Sequence, residues 1–176
     1  NKRFSGGIFT SGGATQVNLG YAYTDSQNAR NTQSSTATSS FDVTAAFDRQ
    51  DPAVSRATTE TRHNITAAVN FREEFFDGYD TSLGIFFRAR SGRPFSFTFD
   101  NDANGDRIFD NDLLFVPAGP GDVEFTDPAE EAEFFALVDA TPCLSEFRGT
   151  VVTRHHCRSV SVGSLDISIR QELPFF

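Results

Sequence analysis

The chain has 176 residues with 15 Lys and Arg against 24 Asp and Glu, a net charge of −9, 38% hydrophobic residues and 20 Phe. That is enough for one ordinary domain, and too apolar for a disordered acidic tail. No stretch of 18 or more apolar residues occurs, which excludes a transmembrane helix but not a barrel, whose strands are short and alternate. From Asp100 to Glu133 stand eleven acids and one arginine, so one segment holds the acidity; phosphate-rich nucleic acid is not an expected partner. The start, Asn1-Lys2-Arg3-Phe4, has no apolar signal region, and Met and Trp are absent, so the chain is expected to be a fragment of a larger protein.

A weak strand is expected over Arg3 to Thr10, then a turn at Ser11-Gly12-Gly13-Ala14. From Thr15 to Asp25, Val17, Leu19, Tyr21 and Tyr23 alternate with Asn18, Gly20, Ala22 and Thr24, the period of a strand with one apolar face. Gln27 to Glu60 is long and polar, and Asn28 to Ser40 reads as a surface loop. Alternation resumes from Thr61 to Arg72, with His63, Ile65, Ala67, Val69 and Phe71 opposite Arg62, Asn64, Thr66, Ala68, Asn70 and Arg72. A short connection, Glu73 to Asp80, leads to Thr81 to Arg90, where Leu83, Ile85, Phe87 and Ala89 oppose Ser82, Gly84, Arg88 and Arg90; Phe86 breaks the pattern.

The next connection runs from Ser91 to about Ser161. It holds alternating Phe95, Phe97 and Phe99, then Asp100-Asn101-Asp102-Ala103-Asn104-Gly105-Asp106 with Asp110 and Asp112 downstream. Acids at alternate positions around a glycine resemble a calcium loop, although Asn111 stands where its Glu belongs and Arg107 where an apolar residue is usual. Turn-forming use of Asp, Asn and Gly explains the same residues. Asp127-Pro128 and the acids Glu130 and Glu131 predict a capped helix to Asp139, burying Phe134, Phe135, Leu137 and Val138. Cys143 and Cys157 suit one local disulfide or two free thiols; His155-His156-Cys157 lacks zinc spacing. The sequon Asn64-Ile65-Thr66 lies inside a strand and is discounted. A last alternating strand runs from about Val162 to Glu172, Leu165, Ile167 and Ile169 opposing Ser164, Asp166, Ser168 and Arg170, before a turn at Pro174-Phe175-Phe176. No nucleophile, phosphate or zinc motif appears, so no catalytic, cofactor-binding or metal residues are assigned and no enzyme or cofactor is expected.

Strands of about ten residues, alternately short and long connections and aromatics at strand ends predict an all-β fold: an antiparallel transmembrane β-barrel fragment of about five strands, with long extracellular loops, one containing a short helix. Tyr21 and Tyr23 would form one aromatic girdle, and Phe71, Phe75, Phe76, Tyr79, Phe175 and Phe176 the other. The charges Arg62, Arg72, Arg88, Arg90, Asp166, Arg170 and Glu172 would face a wet lumen, where the arginines could line a path.

The order of motifs is similar to one family. Tyr21-Ala22-Tyr23-Thr24, Thr61-Arg62-His63, Ser91-Gly92-Arg93-Pro94-Phe95-Ser96, Asp102-Ala103-Asn104-Gly105-Asp106, Asn111-Asp112-Leu113-Leu114-Phe115-Val116-Pro117, then Cys143, Arg148-Gly149, Arg154, Cys157 and Leu165-Asp166-Ile167-Ser168-Ile169-Arg170-Gln171 together resemble the barrel of Oar-like TonB-dependent receptors, from about Gly20 to Pro174. Arg107 and His155-His156 depart from that pattern. The resemblance implies that residues 1–176 are a partial outer-membrane β-barrel domain, without plug or N-terminal domains. It implies a Gram-negative cell outer membrane location and a receptor and transporter that imports an extracellular substrate with inner-membrane energy. The implied partners are outer-membrane lipid, the missing plug domain and remaining barrel strands, a TonB-type energy-coupling protein and an unknown transported substrate. The competing expectation is a soluble secreted β-rich binding module with a calcium-dependent acidic loop.

Overall fold

The computed structural model describes residues 2–30 and 34–173. In chain order the elements are β1 (Lys2–Ser5), β2 (Ala14–Tyr23), β3 (Gln27–Asn28), α1 (Ala37–Asp42), β4 (Ser55–Arg56), β5 (His63–Phe76), β6 (Tyr79–Arg90), β7 (Pro94–Phe95), β8 (Phe115–Val116), α2 (Pro128–Ala140), α3 (Pro142–Ser145), β9 (Thr150–Val151), β10 (Cys157–Arg158) and β11 (Val162–Gln171). They divide into two compact units: Asn1–Thr24, Thr61–Gly92 and Val160–Phe176 in the first, Asp25–Glu60 and Arg93–Ser159 in the second.

The first unit is one antiparallel sheet in the order β1-β2-β5-β6-β11. The four alternating segments form its long strands, because β-branched and aromatic residues at every second position favour a pleated ribbon with one apolar face. The connection expected over Glu73 to Asp80 is tighter than that. Strands β5 and β6 run on to Phe76 and Tyr79, and Gly78 takes a positive φ of 78° in the turn. A register shift between Glu73 and Phe76 marks a bulge there. Strand β1 is shorter than the expected Arg3 to Thr10, because the chain after Ser5 folds into a turn around Glu73. The turn expected at Pro174-Phe175-Phe176 lies outside the described residues.

The second unit gathers the two long connections into a body with its own core. Val116, Val138, Leu144, Val152 and Cys157 are fully buried, and Phe97, Leu114, Phe134, Cys143 and Phe147 pack around them. Helix α2 starts where its cap predicts: the Asp127 carboxylate accepts the Ala129 N–H at 2.8 Å, and Pro128 opens the first turn. Phe135 and Val138 are buried as expected, whereas Leu137 is exposed. Cys143 and Cys157 form a disulfide with Cα atoms 5.4 Å apart, which resolves the two alternatives left open by spacing. Paired two-residue strands, β7 with β10, β3 with β4 and β8 with β9, tie the segments together.

This architecture corrects the expected fold class. Helix makes up 14% and strand 38%, and the sheets are open, so the fold is mixed α/β and not an all-β transmembrane barrel fragment. Strands β1 and β11 each keep one edge without a partner among the described residues. A sheet crossing hydrocarbon must close so that no backbone edge is left unpaired, and this sheet does not close. The misreading has a physical origin. Period-two alternation reports that a strand has one apolar face, and says nothing about whether the sheet closes or what covers that face. No described helix is long and apolar enough to cross a membrane.

Candidate interaction surface

The two faces of the sheet differ sharply, and the register shows how. On one face Val17, Val69, Ile85 and Ile167 stand in one row, and Leu19, Ala67, Phe87 and Leu165 in the next. Tyr21, Ile65, Ala89 and Gly163 extend the patch at one end; Thr15, Phe71, Leu83 and Ile169 extend it at the other. Directly opposed apolar pairs of this kind support one another across strands. Yet much of this surface is uncovered: Leu19 is 76% exposed, Ile167 62% and Ile169 75%. Single exposed apolar residues are ordinary, but a contiguous four-strand patch marks a contact surface.

The expected aromatic girdles are local clusters. Tyr21 and Tyr23 both pack on His63, and the Tyr21 hydroxyl hydrogen-bonds His63 Nδ1 at 2.9 Å. Phe9 meets Phe71 and Phe75 with ring centres 6.1 Å apart. Phe175 and Phe176 lie outside the described residues.

The opposite face carries the predicted charges. Arg72 and Arg170 flank Ser82 in one row, Arg88 stands between Thr66 and Ser164, and Arg90 between Asn64 and Val162. The alternation therefore grouped Arg72, Arg88, Arg90, Asp166 and Arg170 on one face, whereas Arg62 and Glu172 lie just outside β5 and β11; the face is open and encloses no lumen. Phe86, the exception in the pattern, lies between Ala68 and Asp166 on this polar side.

One anchor of the sheet was missed in the sequence. Glu73 is completely buried and accepts hydrogen bonds from the N–H groups of Ile8, Phe9 at 3.1 Å and Thr10 at 2.9 Å, and from the Thr10 hydroxyl. Burial alone would raise its carboxyl, but the Thr10 hydroxyl and the three N–H groups hold it below the ordinary value of 4.5. The close approach explains two glycines. A Cβ on Gly7 would fall 2.1 Å from the Glu73 carboxylate, and one on Gly13 would fall 2.4 Å from Gly7 Cα. The sequence signal was the paired glycines Gly6-Gly7 and Gly12-Gly13 on either side of the turn.

The acidic loop spends its carboxylates on its own backbone. Asp102 accepts the N–H groups of Gly105 at 2.7 Å, Asp106 at 2.9 Å and Arg107 at 2.7 Å. Desolvation pushes the Asp102 carboxyl up, but those bonds and the Arg49 charge pull it below 3.8. Asp112 accepts the N–H groups of Ala103 at 2.7 Å and Asn104 at 3.2 Å. Arg49 pairs with Asp106 at 2.9 Å, so a guanidinium supplies the positive charge that a calcium ion would bring. No cluster of three metal-ligating side chains occurs among the described residues. The calcium-dependent module is corrected on these grounds. In the His155-His156-Cys157 run, Cys157 is consumed by the disulfide. His155 is buried with Nδ1 2.6 Å from the Arg56 carbonyl, which fixes the proton on that nitrogen. His156 faces Glu146 at 3.1 Å.

No family model, no curated protein and no solved structure matches the chain. With an open sheet and no match to any receptor, the likeness to Oar-like TonB-dependent receptors is set aside. The import role, the outer-membrane location and the barrel, plug, lipid and energy-coupling partners fall with it.

Proposed function

We propose that the chain is an assembly module, binding and not catalytic, whose sheet is completed by a second copy packing apolar face against apolar face. The observation that carries the reading is the uncovered patch running from Leu19 through Phe87 and Leu165 to Ile167. A sheet must bury one face against another layer to be stable, and among the described residues of the first unit no second layer covers this one. The area suits a second copy. Four strands spaced about 4.8 Å, each contributing around ten residues at about 3.4 Å, give a footprint of roughly 600 Å2 per copy. The total of roughly 1,200 Å2 reaches the size of a stable interface. An apolar sheet face can pack on a second copy of itself about a two-fold axis, and two aligned sheets would form a sandwich.

Sedimentation equilibrium of the intact chain tests the reading. The expected result is a dimer at micromolar concentration that the double variant Leu19→Glu and Ile167→Glu converts to a folded monomer. Asn18→Glu, on the other face, leaves the dimer intact. A wild-type chain that is monomeric in aqueous buffer, or whose apolar face is instead coated by an amphiphile, overturns it.

A further inference from the structure

The face turned away from the apolar patch contains a groove of about 410 Å3. Arg3, Arg72 and Arg170 line it, and Ala14, Ser82, Gly84 and Ser168 contribute small residues to its lining. Register explains the arrangement: Arg72, Ser82 and Arg170 form one row, and Arg3, Gln16, Asn70, Gly84 and Ser168 form the next. Two strand spacings separate the Arg72 and Arg170 backbones, about 10 Å, a gap that two long guanidinium side chains can bridge around one ligand. Gly84 keeps the floor open, since an added Cβ would sit 2.7 Å from Ser168 Oγ and 3.5 Å from Asn70 Oδ1. Gln16, Asn70, Ser82 and Ser168 add amide and hydroxyl donors to the lining. The local charge is positive. Asp80 pairs with Arg72 at 3.4 Å, while Arg3 and Arg170 have no ion-pair partner among the described residues. The nearby Glu172 carboxylate is turned to the Asp80 N–H at 3.1 Å.

We infer that this groove binds a small polyanion, a di- or trivalent oxyanion held by forked guanidinium contacts from Arg3, Arg72 and Arg170 over the small-residue floor. Guanidinium groups match carboxylate and phosphate oxygens in pairs, and this chemistry is common to polycarboxylates and polyphosphates. Its arginine rows lie on the face opposite the proposed dimer contact, although Thr15, Phe71, Leu83 and Ile169 of the apolar rows also border the groove, so the monomeric variant is what separates the two.

Calorimetric titration of the intact chain with pyrophosphate and, separately, citrate tests it, at fixed ionic strength. The expected result is saturable one-to-one binding of at least one of them, weakened at least tenfold by Arg170→Gln and by Gly84→Val. Arg88→Gln, which keeps the sheet but lies outside the groove, leaves it unchanged. The monomeric Leu19→Glu and Ile167→Glu variant also retains it, which separates this site from the dimer. Pyrophosphate alone binding assigns a phosphate ligand; citrate alone assigns a carboxylate ligand. No saturable binding of either anion, or equal weakening by Arg88→Gln and Arg170→Gln, overturns the inference.

Discussion

Glu73 shows how one side chain can organise a turn. Its carboxylate, itself fully buried, collects three backbone N–H groups and a hydroxyl that replace the water it has lost. Because its pKa is lowered on folding, its contribution is complete above the ordinary value of 4.5 and is lost as pH falls through the lower folded value. Glu73→Gln is therefore expected to lower the melting temperature at neutral pH and to flatten the acid limb of a melting-temperature profile; an unchanged acid limb would contradict this. His155 works in the same direction at higher pH. Desolvation lowers its pKa, the Arg154 charge adds to this, and the bond to the Arg56 carbonyl opposes it. Its contribution is present above 6.5 and fades as pH drops below that value through the folded pKa. A His155→Gln profile should lack that step between neutral and mildly acidic pH. Neither residue was legible as an anchor. Alternation marks faces, but it cannot reveal that a residue at a strand end turns inward to meet a loop more than sixty positions away.

At the scale of elements, the four long strands and α2 were readable because their signals are local: period-two alternation in the strands, and Asp127-Pro128 with following acids in the helix. Replacing Asp127 with Ala should cost about 1 kcal/mol, read by urea unfolding. The second unit was misread as loops because its strands are two residues long and its core residues are scattered across the sequence. Leu144 sits at the centre of that core, and Leu144→Ala is expected to cost about 2–5 kcal/mol. Breaking the Cys143–Cys157 link with Cys143→Ser should remove roughly 3 kcal/mol in the chain-entropy account. Unfolding curves measured with and without reductant would check this, since only the wild type should respond. The acidic loop shows why composition misleads: alternate acids suit a metal and a self-capped turn equally, and only the positions of Arg49 and the backbone N–H groups separate them.

At the scale of the molecule, the sheet has one apolar face, one arginine-bearing face and, among the described residues, no strand paired to the outer edges of β1 and β11. The apolar residues were identified from sequence, but their occupant was not, because lipid, a second layer and a second copy impose the same alternation on a strand. The most direct measurement is an isotope-filtered nuclear Overhauser experiment on a mixed sample in which half the chains carry labelled Ile and Leu methyl groups. Cross-peaks between copies linking the Leu19, Ile85 and Ile167 methyls are expected. Inter-copy contacts confined to the β11 edge, or none at concentrations where the chain is folded, would contradict the account.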